Sequence, residues 1–252
     1  MLLRRVVRHV SEQNWIAVGI DFFIVVVGVF IGIQAANWND VQEDRRLGED
    51  YTERLKVDLT NDLASNRNLL AYFNQVLASV EETDRLLQEP NADSEALVVA
   101  AYRASEFIST PMNSSTWDQI VSSGQIGLLP NSVIENGLLE YYKFQGSIGA
   151  QYSRVLESPY RDLVRSIIPL PVQLAIRESC SDILDELNNS QGFVPECTVG
   201  IGDAELAGAA EAVQSSEPLR AALRNQYSTV FFAVINSEAN IVQIERILDE
   251  ME

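Results

Sequence analysis

Histidine and lysine are nearly missing from this 252-residue chain, which holds one histidine, His9, and two lysines, Lys56 and Lys143. His9 precedes the only long apolar run, so the larger part of the chain beyond that run has no histidine. This absence excludes Ser-His-Asp, Cys-His and His-Glu-x-x-His chemistry there. Neither a phosphate-binding G-x-x-x-x-G-K-[ST] loop nor a G-x-S-x-G nucleophile turn occurs. Carboxylate chemistry of the glycosidase type needs only acids, so it is the one class of catalysis left open. We predict that the protein is not an enzyme and binds no cofactor.

Positive charge is also scarce, because 18 Lys and Arg residues stand against 36 Asp and Glu residues, for a net charge of −18. Nucleic acids and anionic lipid surfaces attract cationic proteins, so this balance argues against both as docking partners. The acidity is typical of a domain that its charge keeps soluble. Acids such as Asp58, Asp62, Glu81 and Glu82 are interpreted as solvated helix faces, and without an EF-hand loop no metal site is predicted.

One long apolar run, WIAVGIDFFIVVVGVFIGIQAANW, occupies residues 15–38. At about 1.5 Å per residue, a helix of this length covers the roughly 30 Å of a bilayer core. Trp15 and Trp38 bracket the run, as aromatic rings do at the two headgroup regions. We therefore predict a basic cytoplasmic segment at 1–14, a transmembrane helix at 15–38 and an acidic helical domain at 39–252.

The charges that flank the run predict its direction in the membrane. Arg4, Arg5 and Arg8 precede it, whereas the sequence that follows is acidic on balance. The positive-inside rule then places the N-terminus in the cytoplasm and the bulk of the chain outside. A cleaved signal peptide is the alternative, but Ile33-Gln34-Ala35 is a poor cleavage site because its first residue is not small. The pattern therefore favours an uncleaved anchor.

One face of the predicted membrane helix is rich in small residues. At 100° per residue the following positions fall within about 40° of one direction: Asp21, Val25, Gly28, Gly32, Ala35 and Asn39. Gly28 and Gly32 form a G-x-x-x-G motif, which lets a second helix backbone approach closely. This face predicts self-association or association with another membrane protein. The alternative is that the glycines only reflect the higher glycine frequency of membrane helices.

Asp21 is the only acid within the apolar part of the run. A carboxylate in the bilayer costs a few kcal/mol, so such residues usually pair with a partner, contact water or carry function. Asp21 lies six residues after Trp15, about 9 Å into the membrane. It is therefore interpreted either as an acid in the hydrated headgroup region or as a functional, protonatable group.

The run and the polar residues at its end form one longer pattern. It consists of an acid, a branched apolar stretch with a central glycine, a glutamine, and then Asn-Trp-Asn-acid. The residues that carry it are Asp21, Gly28, Gln34, Asn37, Trp38, Asn39 and Asp40. This pattern resembles the anchor of a widespread family of uncharacterised bacterial single-pass membrane proteins, a domain of unknown function, many of whose members have Glu in place of Asp21. Further similar stretches are Ser115-Thr116-Trp117, Ser122-Ser123-Gly124-Gln125-Ile126-Gly127 and Tyr141-Tyr142. The resemblance implies a bacterial inner-membrane protein and no known activity.

Beyond the anchor the periodicity is helical, which predicts an all-α fold with long first and last helices in an extracytoplasmic bundle. The first helix is predicted from these apolar positions: Leu47, Tyr51, Leu55, Leu59, Leu63, Leu70, Phe73, Leu77, Val80 and Leu87. Gly48 weakens its join to the membrane helix. Further helices are predicted at 94–108, in a short segment after Ser115, from Ser132 and at 172–187. Residues 188–202 are predicted to be a loop, and no β-rich run appears.

The last helix begins near Pro218 and shows an alternating three- and four-residue spacing. Its apolar positions are Leu223, Tyr227, Val230, Val234, Ile241, Ile244 and Leu248, with Ser237 as the one polar step. Such a heptad seam is typical of helices that pack side by side. We expect this helix to lie antiparallel to the first one, and the seam alone leaves open whether it is used within one chain or between chains.

Cys180 and Cys197 are the only cysteines; Cys180 precedes the predicted loop and Cys197 lies within it. In an oxidising periplasm such a pair predicts a disulfide, which would stabilise the fold by about 3 kcal/mol on the chain-entropy model. Two free thiols are the alternative.

Together these features predict a non-enzymatic, membrane-anchored scaffold or accessory subunit that acts in the periplasm by binding. Its expected partners are the bilayer and either a second copy or another membrane protein. The alternative is an accessory subunit of an ion-driven inner-membrane complex that uses Asp21 as a protonatable site.

Overall fold

The computed structural model describes residues 15–145, 156–186 and 189–251, without the side chains of 15–18. The fold is all-α, as predicted, and the described residues add one two-stranded hairpin. Contacts divide the chain into two compact units, Met1–Tyr51 and Thr52–Glu252.

Helices account for most of the described residues. They are α1 Trp15–Leu87, α2 Ser94–Arg103, α3 Ser115–Ser122, α4 from Asn131, α5 Pro159–Ile167, α6 Leu170–Ser179, α7 Asp203–Ser215 and α8 Glu217–Asp249. Helix α4 is α-helical over Asn131–Val133, π-helical over Ile134–Leu138 and α-helical again over 139–145. A short 3₁₀ turn at Ile126–Leu128 precedes it. Helix α1 is not interrupted at Gly48.

The second unit is organised around the packing of α1 against α8. Asn240 on α8 donates from Nδ2 to the Asn66 Oδ1 of α1 at 3.1 Å, and Arg67 forms an ion pair with Glu245 at 2.7 Å. Further along, Val80 of α1 lines the same surface groove as Leu223 of α8. Residue numbers rise along α1 as they fall along α8, so the two helices are antiparallel, as predicted.

Both long helices bury a heptad seam, and both seams include polar residues. On α1 the buried positions are Leu55, Leu59, Asp62, Asn66, Leu69, Phe73, Val76, Val80, Thr83 and Leu87. On α8 they are Leu219, Leu223, Gln226, Val230, Ala233, Ser237, Asn240, Ile244 and Ile247. The seam of α8 is thus buried within its own chain.

The apolar pattern located these seams only in part. On α1, Leu63, Leu70 and Leu77 were predicted to lie on the buried face but are only half-buried. In each case the fully buried residue is one position earlier. On α8 the predicted Tyr227 is 41% exposed, whereas its neighbour Gln226 is 1% exposed. The error arises because a polar residue was assumed to face solvent.

The shorter helices pack on this pair through capped ends and buried polar contacts. Gln226 donates to the backbone carbonyl of Ala104, just after α2, and accepts from the hydroxyl of Ser158. Ser158 in turn caps α5 by accepting from the backbone N–H of Tyr160. The Tyr160 hydroxyl donates to the Ala101 carbonyl at 2.9 Å, which fixes α5 against α2.

The cysteine-bearing region differs from its prediction. Helix α6 ends at Ser179, and an antiparallel hairpin follows, β1 Asp182–Leu184 with β2 Ser190–Phe193, where a helix to 187 and a loop from 188 were expected. Cys180 and Cys197 form the predicted disulfide, with a Cα separation of 5.2 Å. Helix α2 ends earlier than predicted, and α7 was not predicted at all.

The π-helical turn of α4 is fixed by two side chains of α8. Gly137 lies in this turn and has a φ of +108°. Gln243 donates to the Gly137 carbonyl and Arg246 donates to the Asn136 carbonyl, each at 3.0 Å. A Cβ at Gly137 would lie 2.7 Å from Arg246 Nη2, the end of a flexible side chain that can shift, so it is the positive φ that requires glycine here.

We therefore expect Gly137→Ala to lower the free energy of unfolding by about 2 kcal/mol, since it places a side chain in a strained backbone region and displaces Arg246. The measurement is denaturant unfolding of the full chain in mild detergent. Gly127→Ala is the matched control, because Gly127 has no neighbour within 4 Å and no positive φ. Equal losses for the two variants would contradict the role given to the π turn.

Candidate functional site

Helix α1 contains an apolar stretch that none of the described residues covers. An 18-residue window within it has a mean hydropathy of 2.1, and none of that window is buried. Phe22 is 71% exposed and Phe30 is 61% exposed. Among the described residues, α1 is the helix that is long and apolar enough to cross a membrane. Exposed apolar surface of this extent marks a membrane or protein contact.

The predicted association face lies within this stretch. Asp21, Gly28, Gly32, Ala35 and Asn39 are all exposed, and so is Trp38 at 67%. A Cβ at Gly28 or at Gly32 would meet nothing within 4 Å. Nothing within the described chain therefore requires glycine at these positions. The side chain of Trp15 and the residues Arg4, Arg5 and Arg8 lie outside what the structure describes.

A second candidate site, the Asp62 cluster, lies in the Thr52–Glu252 unit and consists of Asp62, Asn113, Trp117, Tyr141 and Tyr142. Asp62 is 1% exposed. Its Oδ1 accepts from the Asn113 backbone N–H at 3.0 Å and from Asn113 Nδ2 at 2.9 Å. Its Oδ2 accepts from the Tyr141 hydroxyl at 3.0 Å. One carboxylate of α1 thereby contacts two further elements, α4 and the loop that precedes α3.

Aromatic rings close this cluster. Trp117 and Tyr142 stack with ring centroids 4.8 Å apart and planes inclined by 3°, and Tyr141 meets Tyr142 edge to face at 5.1 Å. Among the described residues, the buried Tyr142 hydroxyl and the buried Asp58 Oδ2 have no hydrogen-bond partner. Burial, together with the negative charges of Asp62, Asp58 and Asp118, raises the pKa of the Tyr142 hydroxyl.

Asp62 experiences opposing effects. Burial is the largest and raises the pKa of its carboxyl above the ordinary 3.8, and Asp58 adds to the rise. The hydrogen bonds from Asn113 and Tyr141 lower the pKa but do not cancel the effect of burial. The folded protein therefore holds a proton on Asp62 at pH values where the unfolded chain has lost it.

The interpretation of Asp62 as a solvated acid was wrong, and it was wrong in part for Asp58, whose Oδ2 is buried, whereas Glu81 is exposed as expected. The available signal was its spacing, because Asp62 lies seven residues from both Leu55 and Leu69, which are also buried. The resemblance had identified Trp117, Tyr141 and Tyr142, but it gave no indication that they converge on an acid of α1.

The Asp62 cluster offers carboxylates and phenols but no nucleophile beside a base. Within the described ranges, no group of three or more His, Cys, Asp or Glu side chains is arranged to hold a metal ion. The chemistry that this arrangement supports is proton uptake and structural hydrogen bonding.

The raised pKa of Asp62 predicts a pH dependence. Because the folded pKa exceeds the unfolded one, the free energy of unfolding falls as pH rises from the unfolded pKa to the folded pKa. Asp62→Asn keeps an oxygen that accepts from Asn113, and it removes the loss of stability with rising pH because it cannot titrate. We therefore expect this variant to be as stable as wild type, or more stable, at pH 7. Asp62→Ala leaves the donors unpaired, and we expect it to lose about 1–3 kcal/mol.

Denaturant unfolding of the full chain across pH 3 to 8, chosen to span roughly the carboxylate range, measures this. Glu81→Gln is the control, since it changes an exposed acid of the same helix. A pH profile of Asp62→Asn that overlays wild type would contradict the assignment.

Comparison with known proteins identifies the family. Residues 21–155 match a family of unknown function, DUF6090. The matched region contains the exposed association face from Asp21 onward and every residue of the Asp62 cluster, and it ends before Cys180 and Cys197. No curated protein and no solved structure matches the chain. Because the match covers more than half of its length, this chain belongs to DUF6090, a family of unknown function.

Proposed function

We propose that this chain is a membrane-anchored binding protein, a scaffold or accessory subunit without catalytic activity of its own. The observation that carries the proposal is the uncovered apolar stretch of α1, in which an 18-residue window of mean hydropathy 2.1 has no buried part. Left in water, such a surface would aggregate, and in a bilayer it is solvated by lipid tails. The family match, which begins within this stretch, fits a role that requires the anchor.

The proposed location is a bacterial inner membrane, with the N-terminus in the cytoplasm and the bulk of the chain in the periplasm. Arg4, Arg5 and Arg8 before the apolar run support this direction. The Cys180–Cys197 disulfide supports it independently, because disulfides persist in the oxidising periplasm and are rare in the cytoplasm.

The proposed mode of action is helix association in the bilayer through Gly28 and Gly32, with a second copy or another membrane protein. In lipid, helices associate by close packing of small residues because no hydrophobic effect drives them together. The open space at both glycines leaves room for a partner backbone.

A second candidate is an accessory role in an ion-driven membrane complex, with Asp21 as a proton carrier. The observation that favours it is the exposed position of Asp21 within the apolar stretch, at the first residue of the family match. Asp21→Asn distinguishes the two, since it removes proton carriage and leaves a helix contact possible.

Topology is tested by a reporter fused after Glu252. We expect high alkaline phosphatase activity and no cytoplasmic fluorescence, since the fusion point is exported. In the same cells, alkylation without reductant should leave Cys180 and Cys197 unmodified, and reduction should expose two thiols. The reverse reporter pattern, or two thiols alkylated without reduction, would contradict the periplasmic location.

Helix association is tested with Gly28→Ile and Gly32→Ile in a membrane two-hybrid assay. We expect each to reduce the signal several-fold, and the double variant to abolish it, because a branched side chain separates the backbones. Gly19→Ile is the matched control: Gly19 also has no neighbour within 4 Å but points to the opposite face at 100° per residue. Equal signals for wild type and the double variant would leave the glycines without this role.

A further inference from the structure

Helix α8 has a second apolar face, opposite the one that it buries against its own chain. The buried seam includes Leu223, Val230 and Ile244. At 100° per residue, a second set of side chains falls within about 100° of arc, centred roughly 160° from that seam. We call this set the outer stripe, and it consists of Phe231, Phe232, Ile235, Ala239 and Val242.

The outer stripe is exposed in the single chain. Its four large members are between 43% exposed, for Ile235, and 66% exposed, for Val242. A helix that packs on one side only normally has polar residues on its other side. From Phe232 to Val242 the stripe instead has apolar residues at successive steps of three, four and three. This spacing is typical of a helix face that packs against another helix.

Charge is nearly absent from this part of α8. Residues 225–244 contain a single charged side chain, Glu238, whereas 21% of the whole chain is charged. Each copy carries a net charge of −18, so an average part of its surface repels another copy. Along the outer stripe this repulsion is weak, because few charges face an approaching copy.

The same lack of charge favours a second copy over other occupants. In pairs of helices, the charges beside the apolar seam determine which partner is chosen, and residues 225–244 offer only Glu238 for this. An interface about a two-fold axis must be complementary to itself, and an uncharged apolar stripe meets this condition by symmetry. Docking on anionic lipid requires basic residues beside the apolar face, and residues 225–244 contain none.

The size of the outer stripe suits a contact between two copies. At roughly 200 Å² for a whole aromatic side chain, the exposed parts of the stripe amount to about 400 Å², which is the size of the apolar patches that often bind partners. Two copies bury about 800 Å² of stripe, and the exposed Tyr227 and Ser228 beside it raise this area toward the roughly 1,000 Å² of a specific interface.

We propose that the outer stripe of α8 binds the outer stripe of a second copy of this chain, so that two copies associate through their Thr52–Glu252 units. This contact uses neither Gly28 nor Gly32, and it does not depend on the direction in which the chain crosses the membrane. Where the proposed anchor holds two copies in one bilayer, their raised local concentration strengthens the contact, and only this strengthening rests on the proposed function.

The first test is cross-linking of the full chain in mild detergent, with Gly28→Ile and Gly32→Ile present so that the glycine face does not contribute. Cys180 and Cys197 are bonded to each other, so a single introduced cysteine carries the only free thiol. Ile235→Cys places this thiol near the middle of the stripe, close to its counterpart across the two-fold axis. We expect a short bis-maleimide to link it into dimers with at least fivefold the yield of Ala71→Cys, at an exposed position of α1. Equal yields would overturn the proposal.

Charge substitutions then identify the occupant. In the same background, Ile235→Glu and Ile235→Lys should each lower the dimer fraction in sedimentation velocity at least fivefold, because like charges meet near the axis. Leu174→Glu is the matched control, since Leu174 is an exposed apolar residue of α6, and it should leave the dimer fraction unchanged. Copies with Glu at position 235, mixed with differently tagged copies with Lys there, should pair again because opposite charges attract.

A monomeric chain, a dimer that Ile235→Glu leaves intact, or mixed copies that fail to pair would each overturn the proposal and leave the stripe to another occupant. Thermal unfolding checks that each variant is folded, which the exposure of Ile235 predicts. The glycine variants carry no wild-type glycine face, so this result is independent of whether Gly28 and Gly32 associate.

Discussion

The antiparallel seam between α1 and α8 is the constraint on which the Thr52–Glu252 unit depends. Each helix buries one residue every three or four positions, and polar side chains occupy several of those places. These polar groups determine where other elements lie. Asp62 accepts hydrogen bonds from α4 and from the loop that precedes α3. Gln226 contacts the C-terminal end of α2 and the N-terminal end of α5. A buried polar group without its partner is costly, so the seam specifies one register.

The all-α class, the two long helices and their antiparallel order could be predicted from apolar spacing. The disulfide could be predicted from two cysteines in a domain that the flanking charges assign to the periplasm. The seam register could not, because apolar spacing assigns Asp62 and Gln226 to solvent. The hairpin strand Ser190–Phe193 has no alternating apolar pattern. Helix α7 is rich in alanine, so its sequence does not separate a buried face from an exposed one.

One feature carries the functional interpretation. The uncovered apolar stretch with Gly28 and Gly32 supports anchoring and association in a bilayer. The proposed role, association through an anchor, requires no catalytic group.

Membrane anchoring by α1 is the central claim, and it is tested most directly by the intact mass of the protein that stays in the membrane pellet after alkaline carbonate extraction. An uncleaved anchor predicts that the protein remains in the pellet with a mass that includes the whole apolar run. A cleaved leader predicts a soluble protein whose mass lacks that run. Recovery of the shortened, soluble form would contradict the anchor and the association proposed for Gly28 and Gly32.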